Sequence, residues 1–417
     1  MADPVAQRPG SLAVVVVNDF AEVRGGTDRV ALDEAAGLAR RGHRVTLISG
    51  AGEPAASLVE AGVTVHVIGQ QTTLEDPNRL GAAARGIWNR AAAALVERVA
   101  ATEAGSGAAF VHLHGFTKVL SASVARAAVH SELPVVATLH DYFVACPNGG
   151  FFDYRRERIC RLEPLSARCV ATNCDARSYS HKLWRVGRSA VQRGFGEMPG
   201  GVGDFVVPTE MAREIVRGFL PAAARCHIVP SPVDVPRAEP ADPAGNESFV
   251  FVGRLQRDKG AAVFARAARK AGVRAVFVGS GEESDAVRSA CPDAELTGWL
   301  APERVRDVVR GARAVVNPSL VYETQGLTLL EAAAQGVPGI VSDASAAREA
   351  VADGVTGLWA RAGDSDDLAD KLATLQREPE LAGRLGGSAY ERFWTGGWDT
   401  DRHLDRLEAV YRGALGS

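Results

Sequence analysis

Two glutamates, Glu323 and Glu331, stand eight positions apart in residues 317–343, which read NPSLVYETQGLTLLEAAAQGVPGIVSD. An apolar run at 314–316 precedes them as a candidate buried strand. Pro318, Ser319 and Gly326 make the loop, and the run from Leu327 reads as a helix that Gly336 and Pro338 end. In a strand, loop, helix, strand unit the loop lies at the carboxyl end of the strands. The free N–H groups at the helix start, carrying roughly half a positive charge, favour an anion there. A carboxylate beside that start can accept hydrogen bonds from ligand hydroxyls, and one about a turn into the helix can point back into the same crevice. Spacing alone leaves Glu331 open to the plainer reading of a solvated helix residue.

A second charged set lies in Val252-Gly253-Arg254-Leu255-Gln256-Arg257-Asp258-Lys259-Gly260, again between an apolar run and a helical pattern. Arg254 offers a planar fork of donors and Lys259 a compact charge, both suited to phosphate oxygens, although an arbitrary loop carries such charges to solvent. Two other candidate strands end in histidine. Val111-His112-Leu113-His114-Gly115 and Ala137-Thr138-Leu139-His140-Asp141 put His114 and His140 at carboxyl ends, where a parallel sheet forms its crevice. Gly25-Gly26-Thr27 follows the first candidate strand; a glycine pair there makes a simple turn or lets the backbone approach a ligand. Gly279 and Gly298, the latter followed by Trp299, are by themselves ordinary turn chemistry after strands.

Taken whole, residues 317–343, with PSxxxE, then G, then LxxLEAxAxGxP, resemble the donor-binding signature of retaining glycosyltransferases of the GT-B fold, the glycogen-synthase-like group called family 4. Residues 253–260 match that family's GRLxxxKG. The resemblance implies that Glu323 binds hydroxyls of a donor sugar, Glu331 the nucleotide ribose, Arg254 and Lys259 the pyrophosphate, and the amides around Gly326, Leu327 and Thr328 the distal phosphate. It also places Gly25 and Gly26 near the donor phosphates, Gly253, Gly279, Gly298 and Trp299 along the nucleotide, and His114 and His140 on the acceptor side. Arg254, Lys259, Glu323 and His140 then form the catalytic set. They would stabilise the charge on the leaving diphosphate, with retention of configuration, no metal in the active site and no separate general base.

The partners so implied are a nucleotide sugar and an acceptor hydroxyl. A UDP-hexose or UDP-N-acetylhexosamine is the first expectation and GDP-mannose the next; the acceptor is a glycan, a lipid-linked glycan or a secondary metabolite. Two alternatives stay open, a nucleotide-sugar epimerase on the same fold and a catalytically silent sugar-binding protein. Two positions depart from the family pattern. Gln325 stands where an aromatic residue or Pro is usual, and Ser231-Pro232 replaces the usual pair before Val233-Asp234.

The elements that must position these residues follow a βα rhythm. Apolar runs at 12–17, 44–49, 63–69, 110–113, 134–139, 205–207 and 227–229 alternate with Ala-rich helical segments, and a second series occupies 249–252, 275–278, 294–297, 314–316, 339–342 and 357–359. Alternation of this kind predicts an α/β chain with parallel sheets, here the two Rossmann-like domains of a GT-B architecture with a cleft between them. The expected units are a first domain over 1–232, a Pro, Ala and Asp-rich linker over 233–248, a second domain over 249–394, and a last stretch, 395–417, whose helix crosses back to the first domain. Asp364-Ser365-Asp366-Asp367 precedes a helical pattern and reads as a cap, not as a metal site.

Hydrophobic residues make up 46% and charged residues 23%, a soluble globular profile. No apolar run approaches the roughly 20 residues of a membrane span, and the first ten residues lack an apolar signal core, so a cytoplasmic location is expected. The net charge of −3 conceals a basic stretch, since residues 151–195 hold ten Arg or Lys against four Asp or Glu. Without a broader basic footprint or a recognisable module, nucleic acid is excluded as the expected partner. Within 177–193, Leu183, Val186 and Ala190 recur at helical spacing while Lys182, Arg185, Arg188 and Arg193 carry charge. This predicts an amphipathic helix with the apolar set inward. Its basic face is either solvated or a peripheral contact with an acidic acceptor or the inner face of a membrane.

Four of the six cysteines, Cys146, Cys160, Cys169 and Cys174, fall within an inserted stretch, 141–180, that has few apolar runs and so little core of its own. A segment of this kind needs a staple, and in a reducing compartment four thiolates suit structural zinc better than disulfides. Their spacing lacks the paired C-x2-C knuckle, so disulfides and unlinked thiols remain alternatives.

Overall fold

The structure, a computed structural model, describes residues 11–105 and 107–416. Residues 1–10, on which the expectation about export rests, lie outside the described residues. The first domain carries β1 (Ala13–Phe20), β2 (Arg44–Ala51), β3 (Thr64–Val67), β4 (Ala109–Leu113), β5 (Val135–Thr138), the short hairpin strands β6 (Phe152–Asp153) and β7 (Arg158–Ile159), then β8 (Asp204–Val207) and β9 (Arg225–Ile228). The second carries β10 (Ser248–Val252), β11 (Arg274–Val278), β12 (Glu295–Gly298), β13 (Ala312–Asn317), β14 (Gly339–Ser342) and β15 (Gly357–Ala360).

Both large sheets are parallel throughout, in the orders β3-β2-β1-β4-β5-β8-β9 and β12-β11-β10-β13-β14-β15. All eight residues of β1 are buried, as a strand covered by helices on both faces requires. Val15 sits in register with Thr46 on one side and Val111 on the other. Strand order reverses direction between β1 and β4 in one sheet and between β10 and β13 in the other. Ligand crevices of open α/β sheets form at such points. The carboxyl ends at these two points carry His114, just past β4, and Arg254 and Glu323, just past β10 and β13.

The helix Pro379–Gly396 ends at Gly397, whose φ of +77° suits glycine, and Asp399 caps the last helix, Thr400–Leu415. That helix packs on the first domain. Leu404, Leu407, Val410, Tyr411 and Ala414 share one cluster with Leu12, Val14, Val16, Leu32 and Phe110. Burial of a side chain the size of the leucines and valine contributes roughly 1.5–3 kcal/mol, so the crossover is a structural member and not a loose tail. Asp364 accepts from the backbone N–H groups of Asp366 and Asp367 at 3.0 Å each, the helix cap read from its sequence.

The inserted stretch corrects two expectations. It is not without core, because Tyr142, Val144, Ala145, Cys146 and Phe151 join the apolar cluster on the β1–β4–β5 sheet. The helix Tyr179–Gly194 also lies the other way round from its apolar periodicity. Lys182, Arg188, Ser189 and Gln192 are buried, while Leu183 and Ala190 face solvent. Arg188 is paid a double return inward: its guanidinium lies over the Phe143 ring at 4.6 Å and over Trp184 at 5.4 Å, and it donates to the Thr117 carbonyl at 3.0 Å. Cation–π contacts that are desolvated outweigh the modest gain from hiding one leucine and one alanine.

Candidate active site

The loop after β13 and the start of the helix Leu327–Ala334 meet the first domain directly. Tyr142 donates its hydroxyl to the Glu323 carbonyl at 2.7 Å, Thr324 Oγ1 donates to the His140 carbonyl at 3.0 Å, and Thr209 Oγ1 donates to the Thr324 carbonyl at 2.9 Å. These bonds fix the backbone around Glu323, whose φ is +21°. They leave its side chain to other duties. Glu323 Oε1 lies 2.8 Å from Lys259 Nζ. Burial works against the lysine charge, but Glu323 and Asp258 outweigh it and hold the Lys259 pKa above its ordinary value.

Lys259 is placed by a close backbone passage. Gly260 has φ +71°, and a Cβ there would stand 2.2 Å from the Pro318 carbonyl oxygen, so only glycine lets the loop after β10 touch the loop after β13. Gly279 makes a second such passage: its added Cβ would meet the Gly253 carbonyl oxygen at 2.0 Å, with φ +135°. Arg254 is exposed and, among the described residues, has no ion-pair partner. Trp299 is 82% exposed beside Gly298, at the rim.

Gly25 and Gly26 begin the helix Gly26–Arg40 opposite this loop. A Cβ on Gly26 would lie 3.5 Å from Leu327 Cδ1, so the first turns of two helices, one per domain, face each other. Gly326 is equally confined, since its added Cβ would approach that of Ala347 to 2.6 Å. Glu331 Oε1 lies 3.8 Å from Arg29 Nη1 of the facing helix, and burial raises its pKa against the pull of Arg29 and Arg306. Two helix starts, Arg254 and the Lys259 ammonium gather positive charge and N–H donors at this end of the cleft.

On the other wall His140 lines a pocket with Thr27, His114, Gly115, Thr117 and Asp141. His114 Nδ1 is 2.9 Å from His140 Nε2, the rings stacked at 5.2 Å. Burial above all drives the His140 pKa down to about 3, so it is a neutral imidazole at ordinary pH. Burial likewise raises the Asp141 pKa.

The two departures from the family pattern meet each other. Gln325 Oε1 accepts from the Ser231 backbone N–H at 2.8 Å and its Nε2 donates to the Ser231 carbonyl at 3.4 Å. An aromatic side chain or Pro at 325 could not make this amide pair, so the donor loop is tied to the start of the linker by a contact specific to these two residues.

The four clustered cysteines are free and, among the described residues, no three of their sulfurs lie within 4.8 Å of one another. What gathers them is hydrogen bonding to sulfur. Lys182 Nζ, fully buried, lies 3.6 Å from Cys169 Sγ; Asn148 Nδ2 lies 3.1 Å from Cys174 Sγ; the backbone N–H groups of Asn148, Gly149 and Phe151 point at Cys146 Sγ. Residues that matter to the site and were not singled out from sequence are Tyr142, Thr324, Arg29 and Glu34. His112 precedes His114 by two, the strand period that puts both on one face, and that signal was available. The positions of Tyr142 and Arg29 were not, because each acts across the domain boundary.

Against this geometry, the sequence profile of glycosyltransferase family 4 matches residues 24–237, and that of the group 1 glycosyl transferases matches 246–378. The chain belongs to glycosyltransferase family 4. A D-inositol 3-phosphate glycosyltransferase of Nocardia farcinica is 32% identical over 208 residues, 42% of this chain and 45% of that one. A GDP-mannose-dependent alpha-mannosyltransferase of Corynebacterium glutamicum is 34% identical over 118 residues, 28% of each chain. The chain thus spans less than half the length of these two relatives. The crystal structure of Anabaena HepE in complex with UDP superposes with a TM-score of 0.66 at 17% identity, covering 96% of this chain and 99% of that one. That likeness is one of fold, and the family 4 chain has the two-domain GT-B architecture. Among the described residues no helix is long and apolar enough to cross a membrane.

Proposed function

We propose that this family 4 chain is a retaining glycosyltransferase that moves a sugar from a nucleotide sugar to a hydroxyl group. The observation that carries the reading is the Lys259–Glu323 pair at 2.8 Å beside an exposed Arg254 that has no ion-pair partner among the described residues, at a helix start that faces a second helix start. A diphosphate entering there meets Arg254, Lys259 and N–H groups already in place. Preorganised donors of this kind stabilise the charge that grows on a leaving diphosphate without reorganising during the step. Glu323 is then positioned to accept from the sugar hydroxyls, and Glu331, a turn further, from the ribose. The neutral His140 on the opposite wall contacts the transferred sugar or the incoming acceptor. The acceptor proton leaves with the departing phosphate, so no other base is needed.

UDP-hexose or UDP-N-acetylhexosamine is the proposed donor class. The mannosyltransferase relative keeps GDP-mannose as the next candidate. The test is incubation of the protein with a panel of UDP and GDP sugars, with and without glycan and lipid-linked acceptor extracts. Release of nucleoside diphosphate that depends on an acceptor, with the anomeric configuration kept in the product, is the expected result. Conversion of the donor with no acceptor present would replace the proposal by an epimerase; binding without turnover would replace it by a silent sugar-binding protein. Arg254, Lys259, Glu323 and Glu331 all present together argue against silence, since sugar binding alone has no use for a charge array at the diphosphate.

A further inference from the structure

Behind His140 lies a buried chain of ionisable groups that the proposed mechanism does not use. It runs from His140 Nε2 to His114 Nδ1 at 2.9 Å, from His114 Nε2 to Glu34 Oε2 at 3.3 Å, from Glu34 Oε1 to His403 Nε2 at 2.9 Å, and from His403 Nδ1 to the Pro230 carbonyl at 2.7 Å. His112 flanks it, with Nδ1 3.1 Å from His114 Nε2 and 2.7 Å from the Tyr411 hydroxyl, and Nε2 2.7 Å from Thr138 Oγ1. Glu34 is 2% exposed, and its Oε2 has no well-aligned hydrogen bond, only the longer approach of the His114 ring. A buried carboxylate is costly unless donors surround it.

Valence fixes where the protons sit. The Pro230 carbonyl can only accept, so His403 Nδ1 carries a hydrogen, and the contact of its Nε2 with Glu34 Oε1 needs one hydrogen between the two atoms. The ionised Glu34 then draws a second N–H, that of His114 Nε2, toward Oε2. A neutral His114 protonated at Nε2 has its lone pair on Nδ1. The hydrogen in the His114–His140 contact must therefore be on His140 Nε2, which leaves His140 Nδ1 as a bare acceptor on a residue that lines the cleft.

We infer that Glu34 is a positioning residue: through His114 it sets the tautomer of His140, so that this wall of the cleft presents a hydrogen-bond acceptor to a ligand hydroxyl, and through His403 it ties that setting to Pro230, three residues before the linker. The inference rests on the placement of His140 at the transfer site in the proposed function. Glu34 itself touches neither ligand nor reacting atoms. Replacing its carboxylate by an apolar side chain removes the acceptor that holds this setting. In Glu34→Leu nothing draws a hydrogen to His114 Nε2, so it is free to move to His114 Nδ1 and that of His140 to its own Nδ1, whereas in Glu34→Gln the amide N–H₂ meets His403 Nε2 and the amide oxygen still accepts from His114 Nε2.

The experiment is ¹⁵N NMR of the full chain labelled at histidine, with His140 assigned by the loss of its signals in His140→Gln. The wild-type protein is expected to show His140 protonated at Nε2, Glu34→Gln to match it, and Glu34→Leu to show hydrogen on His140 Nδ1. In steady-state assays Glu34→Leu should lose at least roughly tenfold in kcat, as a mis-set tautomer does elsewhere, and Glu34→Gln should restore most of it, while the Kd for UDP, read by calorimetry, stays within about twofold of the wild type in both, a change worth well under one tenfold step. An Nδ1-protonated His140 in the wild type overturns the inference without any variant, so a failure of Glu34→Leu to fold does not protect it. A tautomer unchanged by Glu34→Leu also overturns it. So does a divalent metal that copurifies and is lost with Glu34→Leu, because Glu34, His112 and His114 bring three ligand atoms within 4.8 Å of one another and a cation there would replace the protons. If no donor and acceptor pair gives transfer, the proposed function fails while the NMR result still decides the tautomer.

Discussion

On the first-domain wall of the cleft His114 and His140 are held ring to ring, with Glu34 and His403 behind them. On the second-domain wall Arg254 reaches solvent and, among the described residues, has no ion-pair partner, while Lys259 has one carboxylate. The difference follows from where each set sits. Strands β4 and β5 run through the middle of a sheet covered on both faces, so a polar residue at their ends must find protein partners or cost free energy. The loops after β10 and β13 lie outside their sheet, where a charge can wait in water. One wall is thus tuned by internal hydrogen bonds and works as a neutral surface; the other keeps its charge unsatisfied for a ligand to complete.

The sharpest way to break this contrast is on the charged wall. Lys259→Ala should lower kcat by about a hundredfold or more, roughly 3 kcal/mol of lost charge stabilisation, since no protein group stands ready to replace the ammonium. Glu323→Gln should also remove most turnover but keep nucleotide affinity, whereas Glu331→Ala should weaken nucleotide binding. Calorimetry with UDP separates the two, and equal losses of affinity would show that these glutamates do not have distinct roles. If the charged wall were as internally satisfied as the histidine wall, Arg254→Ala would leave UDP affinity unchanged; a several-fold loss is expected.

The histidine wall should reveal itself in stability against pH. Burial lowers the pKa of His140 to about 3 and that of His112 below the usual histidine value. Between that range and the unfolded value of about 6.5 the unfolded chain binds more protons than the folded one, so stability rises with pH across this window and falls as pH drops below about 6.5. Thermal melts from pH 4.5 to 7.5 should show the rise, and His140→Gln should flatten part of it. An unchanged slope would place the linkage elsewhere.

A smaller effect is expected where the walls are joined. Gln325→Ala removes the amide pair with Ser231 and should cost about 0.5–2 kcal/mol of stability, for hydrogen bonds that are partly exposed. It should leave UDP binding nearly intact. The insertion that begins just past His140 offers a last test. Four N–H donors aimed at sulfur and the buried Lys182 ammonium favour the thiolate form, while burial pushes the Cys146 and Cys174 pKa values up; a zinc ion would offset that burial cost, and about one zinc per chain is expected in protein purified without added metal. The sulfurs would have to draw together to bind it, and Cys169→Ser should release it. Metal-free protein with four titratable thiols would leave the apolar contacts of Tyr142, Val144 and Phe151 as what holds the insertion.

The sequence by itself determined the two parallel sheets, because continuous apolar strands alternating with alanine-rich helices have few other ways to be buried. It also determined where the crevices fall, since Arg254, Lys259, Glu323, His114 and His140 all follow strand ends. The inward turn of Lys182 and Arg188 was not legible, because periodicity ranks side chains by polarity and knows nothing of the rings and sulfurs they meet. Neither was the Gln325–Ser231 pair, which sequence shows only as two unrelated departures. Tertiary structure alone decided that Glu34, on a helix of the first domain, and His403, 369 positions later on the final helix, would meet at 2.9 Å behind His140. No local pattern records such a contact; it exists because the last helix crosses back and buries both against the same strands.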